Sequence, residues 1–165
     1  MNQSICDHYT AILNTELITA LGCTEPIAIA YAGATVRKVL GTMPDRCVTA
    51  CSGNIIKNVK GVTVPNSGGM KGIDTAAVLG IVGGNPEKVL AVLEDVTAEQ
   101  IEQTKRLTAS GFCRCELVEG VENLYIVITA CKGSDWAQVE IRNFHSNITK
   151  ITKNGHTLFA SPKQD

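Results

Sequence analysis

The hydrophobic period of this 165-residue chain changes partway along, and that change limits its possible folds more than any other feature. Up to about Ser110 the apolar residues recur mostly three and four apart, the spacing of a helix face, with the Arg46–Ser52 segment the main departure. After Phe112 they alternate with polar residues, which is the spacing of half-buried strands.

In the first part, Ile5, Tyr9, Ile12, Leu13, Leu17, Ala20 and Leu21 fall on one side of an amphipathic helix that Gly22 ends. Thr24 then caps a second helix with Glu25 and Pro26 in its first turn, where a missing N–H costs nothing. That helix is predicted to run to about Leu40. Its small residues, Ala28, Ala30, Ala32, Gly33 and Ala34, let another element approach closely and predict burial. Arg46–Ser52 alternates and reads as a strand. Gly53 to Gly72 is rich in glycine and resists assignment, with a short helical turn near Ile55–Val59 and an extended Val62–Val64. Ile73 to Val82 reads as a buried helix, Pro86 to Leu93 as a short one. Thr97-Ala98-Glu99-Gln100 has capping-box spacing before a helix reaching about Ser110.

Four strand-like runs follow, Cys113–Val118, Leu124–Lys132, Trp136–Arg142 and Ile148–Lys153, and Asn154-Gly155 predicts a hairpin into His156–Phe159. Helices first and meandering strands second predict an α+β class. N-terminal helices should pack on a mostly antiparallel sheet formed largely by the C-terminal third.

The length suits a single domain, residues 1–165, with one sizeable core. Lys+Arg 15 against Asp+Glu 16 leaves a net charge of -1, which offers no field for nucleic acid or anionic lipid. The most apolar stretch, Ile27 to Leu40, is interrupted by Tyr31, Gly33, Thr35, Arg37 and Lys38 and is too short to span a bilayer. With no basic run and apolar core at the start, a cytoplasmic protein is expected.

The seven cysteines fit reduced thiols better than a disulfide scaffold. Cys23 sits at a helix N-terminus, where the dipole and free N–H groups favour a thiolate able to act as base, nucleophile or ligand. By spacing alone a small residue in a tight turn explains it as well. Asn54, Lys57 and Asn58, in the glycine-rich stretch, are donors suited to a carboxylate, and the P-loop spacing is missing. A solvated surface loop is the plainer alternative. Cys47 and Cys51, and Cys113 and Cys115, share strand faces as core packing does, and no metal ligand is assigned within the chain. His145 and Asn147 lie in a polar break between strands, where a functional imidazole could sit.

Ala20-Leu21-Gly22-Cys23-Thr24-Glu25-Pro26 resembles the opening signature of the L-cysteine desulfidase family, relatives of iron–sulfur L-serine dehydratases. The resemblance continues through Asn54–Asn58, Gly61–Pro65, the Gly72 region, Leu79-Gly80, Gly83-Gly84-Asn85 and Phe144–Ile148. It implies that the chain is the N-terminal portion of a longer amino-acid lyase. A helical domain after Asp165 would carry a [4Fe–4S] cluster whose ligands lie outside this chain. The implied reaction is α,β-elimination of L-cysteine to pyruvate, ammonia and hydrogen sulfide. Cys23 would then be the catalytic base, with Asn54, Lys57 and Asn58, and secondarily His145 and Asn147, binding the amino-acid substrate. The fragment alone would be inactive. The missing helical domain is the implied partner, and homo-oligomerisation stays open. An L-serine dehydratase-like lyase, a non-catalytic amino-acid-binding or regulatory domain, and an assembly domain are the alternatives.

Overall fold

The computed structural model of the chain describes residues 24–162. The amphipathic stretch from Ile5 to Leu21 and the Cys23 thiol therefore lie outside the described residues.

Helix α1, Thr24–Leu40, begins with Glu25 in its first turn and ends with Arg37 and Lys38 in its last, each charge matched to the nearby end of the macrodipole. Gly41 closes it at φ +86°, donating its N–H to the Arg37 carbonyl at 2.9 Å. Strand β1 is Arg46–Ser52, helix α2 Gly53–Val59 and helix α3 Ile73–Gly83. A 3-10 turn over Pro86–Ala91 breaks at Val89 (φ 53°), so the expected short helix there is tighter and kinked. Helix α4 is Ala98–Ala109. The strands β2 Cys113–Val118, β3 Tyr125–Lys132, β4 Asp135–Arg142, β5 Ile148–Lys153 and β6 His156–Ala160 complete the chain.

The fold is α+β: helices on one face of a six-stranded sheet ordered β2-β1-β3-β4-β5-β6. Every neighbouring pair is antiparallel except β1 and β2, which run parallel with Cys47 opposite Cys113 and Ser52 opposite Val118. One early strand is thus inserted into the late meander. The inward positions, Cys47, Thr49 and Cys51 on β1, Ile126, Ile128 and Ala130 on β3, and Ala137, Val139 and Ile141 on β4, are all buried. Each fully buried aliphatic side chain contributes roughly 1.5–3 kcal/mol.

The α1–α3 crossing explains the small residues. At Gly33 an added Cβ would lie 2.6 Å from the Ala77 carbonyl oxygen, and at Gly80 it would run into the Ala30 backbone. The two helix backbones touch across a glycine from each. Residues 26–30 and 32–36 of α1 are buried in succession, so the helix is enclosed nearly all round.

The capping box of α4 forms as its spacing predicts. The Gln100 N–H donates to Thr97 Oγ1 (3.2 Å), and the Thr97 N–H donates to Gln100 Oε1 (2.9 Å). Thr97→Ala should cost about 1 kcal/mol in urea denaturation. No measurable loss would mean that α4 is held by its packing on α3 alone. At the β5–β6 hairpin Asn154 (φ 50°) and Gly155 (φ 84°) both take left-handed conformations, as a two-residue type I′ turn requires. The Asn154 Oδ1 also accepts the Trp136 N–H at 2.8 Å, tying the turn to β4.

The glycine-rich stretch is well organised. Thr63 and Lys71 form an antiparallel bridge, and the Val64 N–H donates to the Met70 carbonyl (2.8 Å). Inside that turn the Ser67 hydroxyl, itself buried, accepts the Met70 N–H at 2.9 Å. None of the helices among the described residues is long and apolar enough to cross a membrane.

Candidate functional site

The polar residues singled out from the sequence collect at one end of the sheet, where β1 leaves and β3 enters. Ser52 organises that end. Its hydroxyl accepts the Ile55 N–H at 3.3 Å, capping α2, and donates to the Asn123 carbonyl at 2.5 Å. This sets the direction of α2 and fixes it to the loop before β3. Ile55 and Val59 are buried beneath the helix, and Asn54, Lys57 and Asn58 lie on its exposed side, three and four residues apart.

The loop between β4 and β5 stands at the same end. Its turn is held by backbone bonds from Phe144 N–H to the Arg142 carbonyl (2.8 Å) and from Asn147 N–H to the Phe144 carbonyl (3.0 Å). Asn143 takes a left-handed φ of 71° to make the bend. The Asn147 side chain donates Nδ2–H to the Arg142 carbonyl at 2.8 Å, so its amide serves the loop's shape. This displays His145 toward α1, with its Nε2 3.7 Å from the Glu25 carboxylate. Both side chains are about three-quarters covered, at 24% and 28% exposure. Beside the imidazole, Phe144 is 63% exposed.

The sequence marks Glu25 only as a first-turn residue of α1. Its nearness to His145 bridges 120 residues of sequence, and no local spacing announces it. Cys23 lies outside the described residues, two positions before Glu25.

A second polar cluster borders this end on the open face of the sheet. The Arg142 guanidinium donates to Glu140 (Nε to Oε1, 2.8 Å) and to Glu122 (Nη1 to Oε1, 3.1 Å). It also lies over the Tyr125 ring, 4.7 Å from the centroid. Burial pushes the Glu140 carboxyl up, but Arg142 and the Thr149 hydroxyl, 2.7 Å away, hold it below its ordinary range on balance. These groups satisfy one another and anchor the strand from which the His145 loop departs.

A groove of about 310 Å³ lies elsewhere, between the C-terminal half of α1 and the 3-10 turn, lined by Arg37, Lys38, Ile81, Asn85 and Glu87. Arg37 spends its guanidinium there on the carbonyls of Ile81 (2.9 Å) and Val82 (3.3 Å) at the end of α3. Lys38 pairs with Glu87 at 2.8 Å. These are structural contacts, and none of the residues anticipated for binding reaches this groove. Among the described residues no group of three or more His, Cys, Asp or Glu is placed to hold a metal ion.

The described residues define a helix-on-sheet α+β domain whose candidate binding groups project from one end of the sheet. Over nearly its whole length the chain is similar to proteins of the UPF0597 family. It is 47% identical over 154 residues to a UPF0597 protein of Lachnoclostridium phytofermentans, covering 93% of this chain and 37% of the relative. It is 51% identical over 152 residues to one of Finegoldia magna (92% and 36%), and 43% identical over 162 residues to one of Treponema denticola (98% and 38%). The chain thus spans a little over a third of the length of these relatives. No protein-family model matches it. No solved structure is significantly similar.

These relatives correct the family expectation. The resemblance to L-cysteine desulfidase rested on short motifs, whereas identity to UPF0597 proteins extends over more than nine-tenths of the chain. Their names carry neither a desulfidase nor a dehydratase activity. The assignments as an amino-acid lyase, as an iron–sulfur enzyme and as a producer of hydrogen sulfide fall with that resemblance.

Proposed function

We propose that this domain binds a small zwitterionic ligand of the amino-acid class at the Ser52 end of its sheet, without itself transforming it. The observation that carries the reading is the Glu25–His145 juxtaposition at the sheet end from which α2, with its exposed polar face, departs. A zwitterion needs an anion for its ammonium and donors for its carboxylate. Glu25 supplies the first, with His145 backing its carboxylate. Lys57, flanked by Asn54 and Asn58, supplies the second. Partial cover at Glu25 and His145 strengthens such contacts relative to open water. The neighbouring Phe144 offers an apolar surface for a side chain.

Because the chain spans little more than a third of its relatives, this reading makes it the binding part of a longer protein. Titration calorimetry with the twenty amino acids tests it. Saturable binding of at least one is expected, weakened about tenfold by Lys57→Ala and by Glu25→Gln, which is about 1.4 kcal/mol each. An affinity untouched by both substitutions would refute the site, and no binding by any amino acid would refute the ligand class.

A further inference from the structure

Four thiols meet where β1 and β2 run parallel. Register places Cys47 opposite Cys113 and Thr49 opposite Cys115, and Cys51 follows on the same face. Cys47 and Cys51 are buried, as core packing predicts. The edge strand departs from that pattern. Cys113 is half-buried and Cys115 exposed, although both face the helix side of the sheet. Helical cover is thinner over β2, and Leu117, on the same row, is 55% exposed.

We propose that Cys113 and Cys115 form a two-coordinate site for a thiophilic monovalent cation of the copper(I) class. Residues two apart on a strand have Cα atoms about 6.6 Å apart and side chains on one face, so two sulfurs leaning together can hold an ion between them. Soft thiolates select such ions over harder ones. Cys47 also touches Cys113 but is buried, so the sulfurs open to an arriving ion are the two on β2, which suits an occupant content with two. Thr49, fully buried, sets its hydroxyl 3.4 Å from Cys113 Sγ and fixes that ligand from behind. The Asp74 carboxylate, in the first turn of α3, adds negative charge near Cys115.

The thiols are poorly suited to the competing role of a redox pair. The hydrogen bond with Cys113 and then burial push the Cys115 thiol up. At Cys113 the contact with Cys115 pulls down, but Cys47 and burial prevail and push it up to about 12. Thiols this protonated attack disulfides slowly, and a cation that binds them must displace both protons. Binding the cation needs no oxidant: each thiol releases one proton, each sulfur donates an electron pair, and the ion keeps its oxidation state.

Anaerobic titration of the 165-residue chain with copper(I), in competition with bicinchoninate, provides the test. The chain should withdraw one equivalent from the chelator, and Cys115→Ser and Cys113→Ser should each weaken that uptake at least tenfold. Cys131→Ser and the double variant Cys6→Ser/Cys23→Ser should retain it. Cys115 is exposed, so its substitution keeps the test decisive even where Cys113→Ser unfolds, with circular dichroism checking the fold. Unchanged uptake in Cys115→Ser, or loss of uptake in the Cys6/Cys23 variant, would overturn the assignment.

Discussion

Gly80→Ala should destabilise the domain by about 3 kcal/mol, as large an effect as one methyl group ordinarily produces. The new Cβ would collide with the Ala30 carbonyl and Cα, which are backbone atoms of a helix packed on both sides. A flexible side chain could swing aside. A buried helix backbone can yield only by separating α1 from α3, which would loosen Gly33 against Ala77 and open the core beneath them. The measurement is the urea midpoint at unchanged m-value. Gly61→Ala is the control, since Gly61 has an ordinary φ and open space where its Cβ would go. A loss below 1 kcal/mol at Gly80 would show that the two helices can part without consequence for the sheet.

Ile128→Ala should cost about 4 kcal/mol. Ile128 is completely buried at the centre of β3, with Thr49 of β1 opposite on one side and Val139 of β4 on the other. Strands on both sides and α1 above it leave no route for collapse into the space vacated. Ile128→Val, which removes one methylene, should cost only about 1 kcal/mol. A ratio of the two losses near one would mean that strand propensity, not cavity formation, sets stability at this position.

Local structure was largely readable from spacing. The bounds of α1 and β1 follow from Thr24, Pro26 and the break at Gly41 through Pro44, and the α4 capping box and the Asn154-Gly155 turn declare themselves in four and two residues. Each of these depends on chemistry between near neighbours. The α2 helix was harder, because seven residues with adjacent Ile55 and Ile56 suit a strand as well. The Ser52 hydroxyl bonded to Asn123, far along the chain, is what fixes it. The position of β1 between β2 and β3 was illegible for a related reason: alternation says which residues face inward, not which strand lies alongside.

The same distinction holds for the candidate site. Lys57 and its neighbouring asparagines could be nominated as exposed donors, and the structure puts them on the solvent side of α2. His145 could be placed in a loop, but its nearness to Glu25 depends on α1 lying across the sheet. Asn147 looked equivalent to His145 by position. Its amide is committed to the Arg142 carbonyl, a partner only the turn geometry reveals. Family assignment had a different difficulty, since short shared motifs carry far less information than identity sustained over most of the chain.

The insertion of β1 beside β2 also sets an order on assembly. From β3 to β6 each strand pairs with the next across a short turn, so these hairpins close with little loss of chain entropy. Cys47 meets Cys113 only after α2, α3 and α4 have been drawn in between, a closure that is rewarded late. Until then β3 keeps one edge open, with Ile126 and Ile128 in it. The half-built sheet is therefore adhesive along the line that β1 will occupy, and the speed with which the helical segment condenses decides how long that edge stays available to other chains.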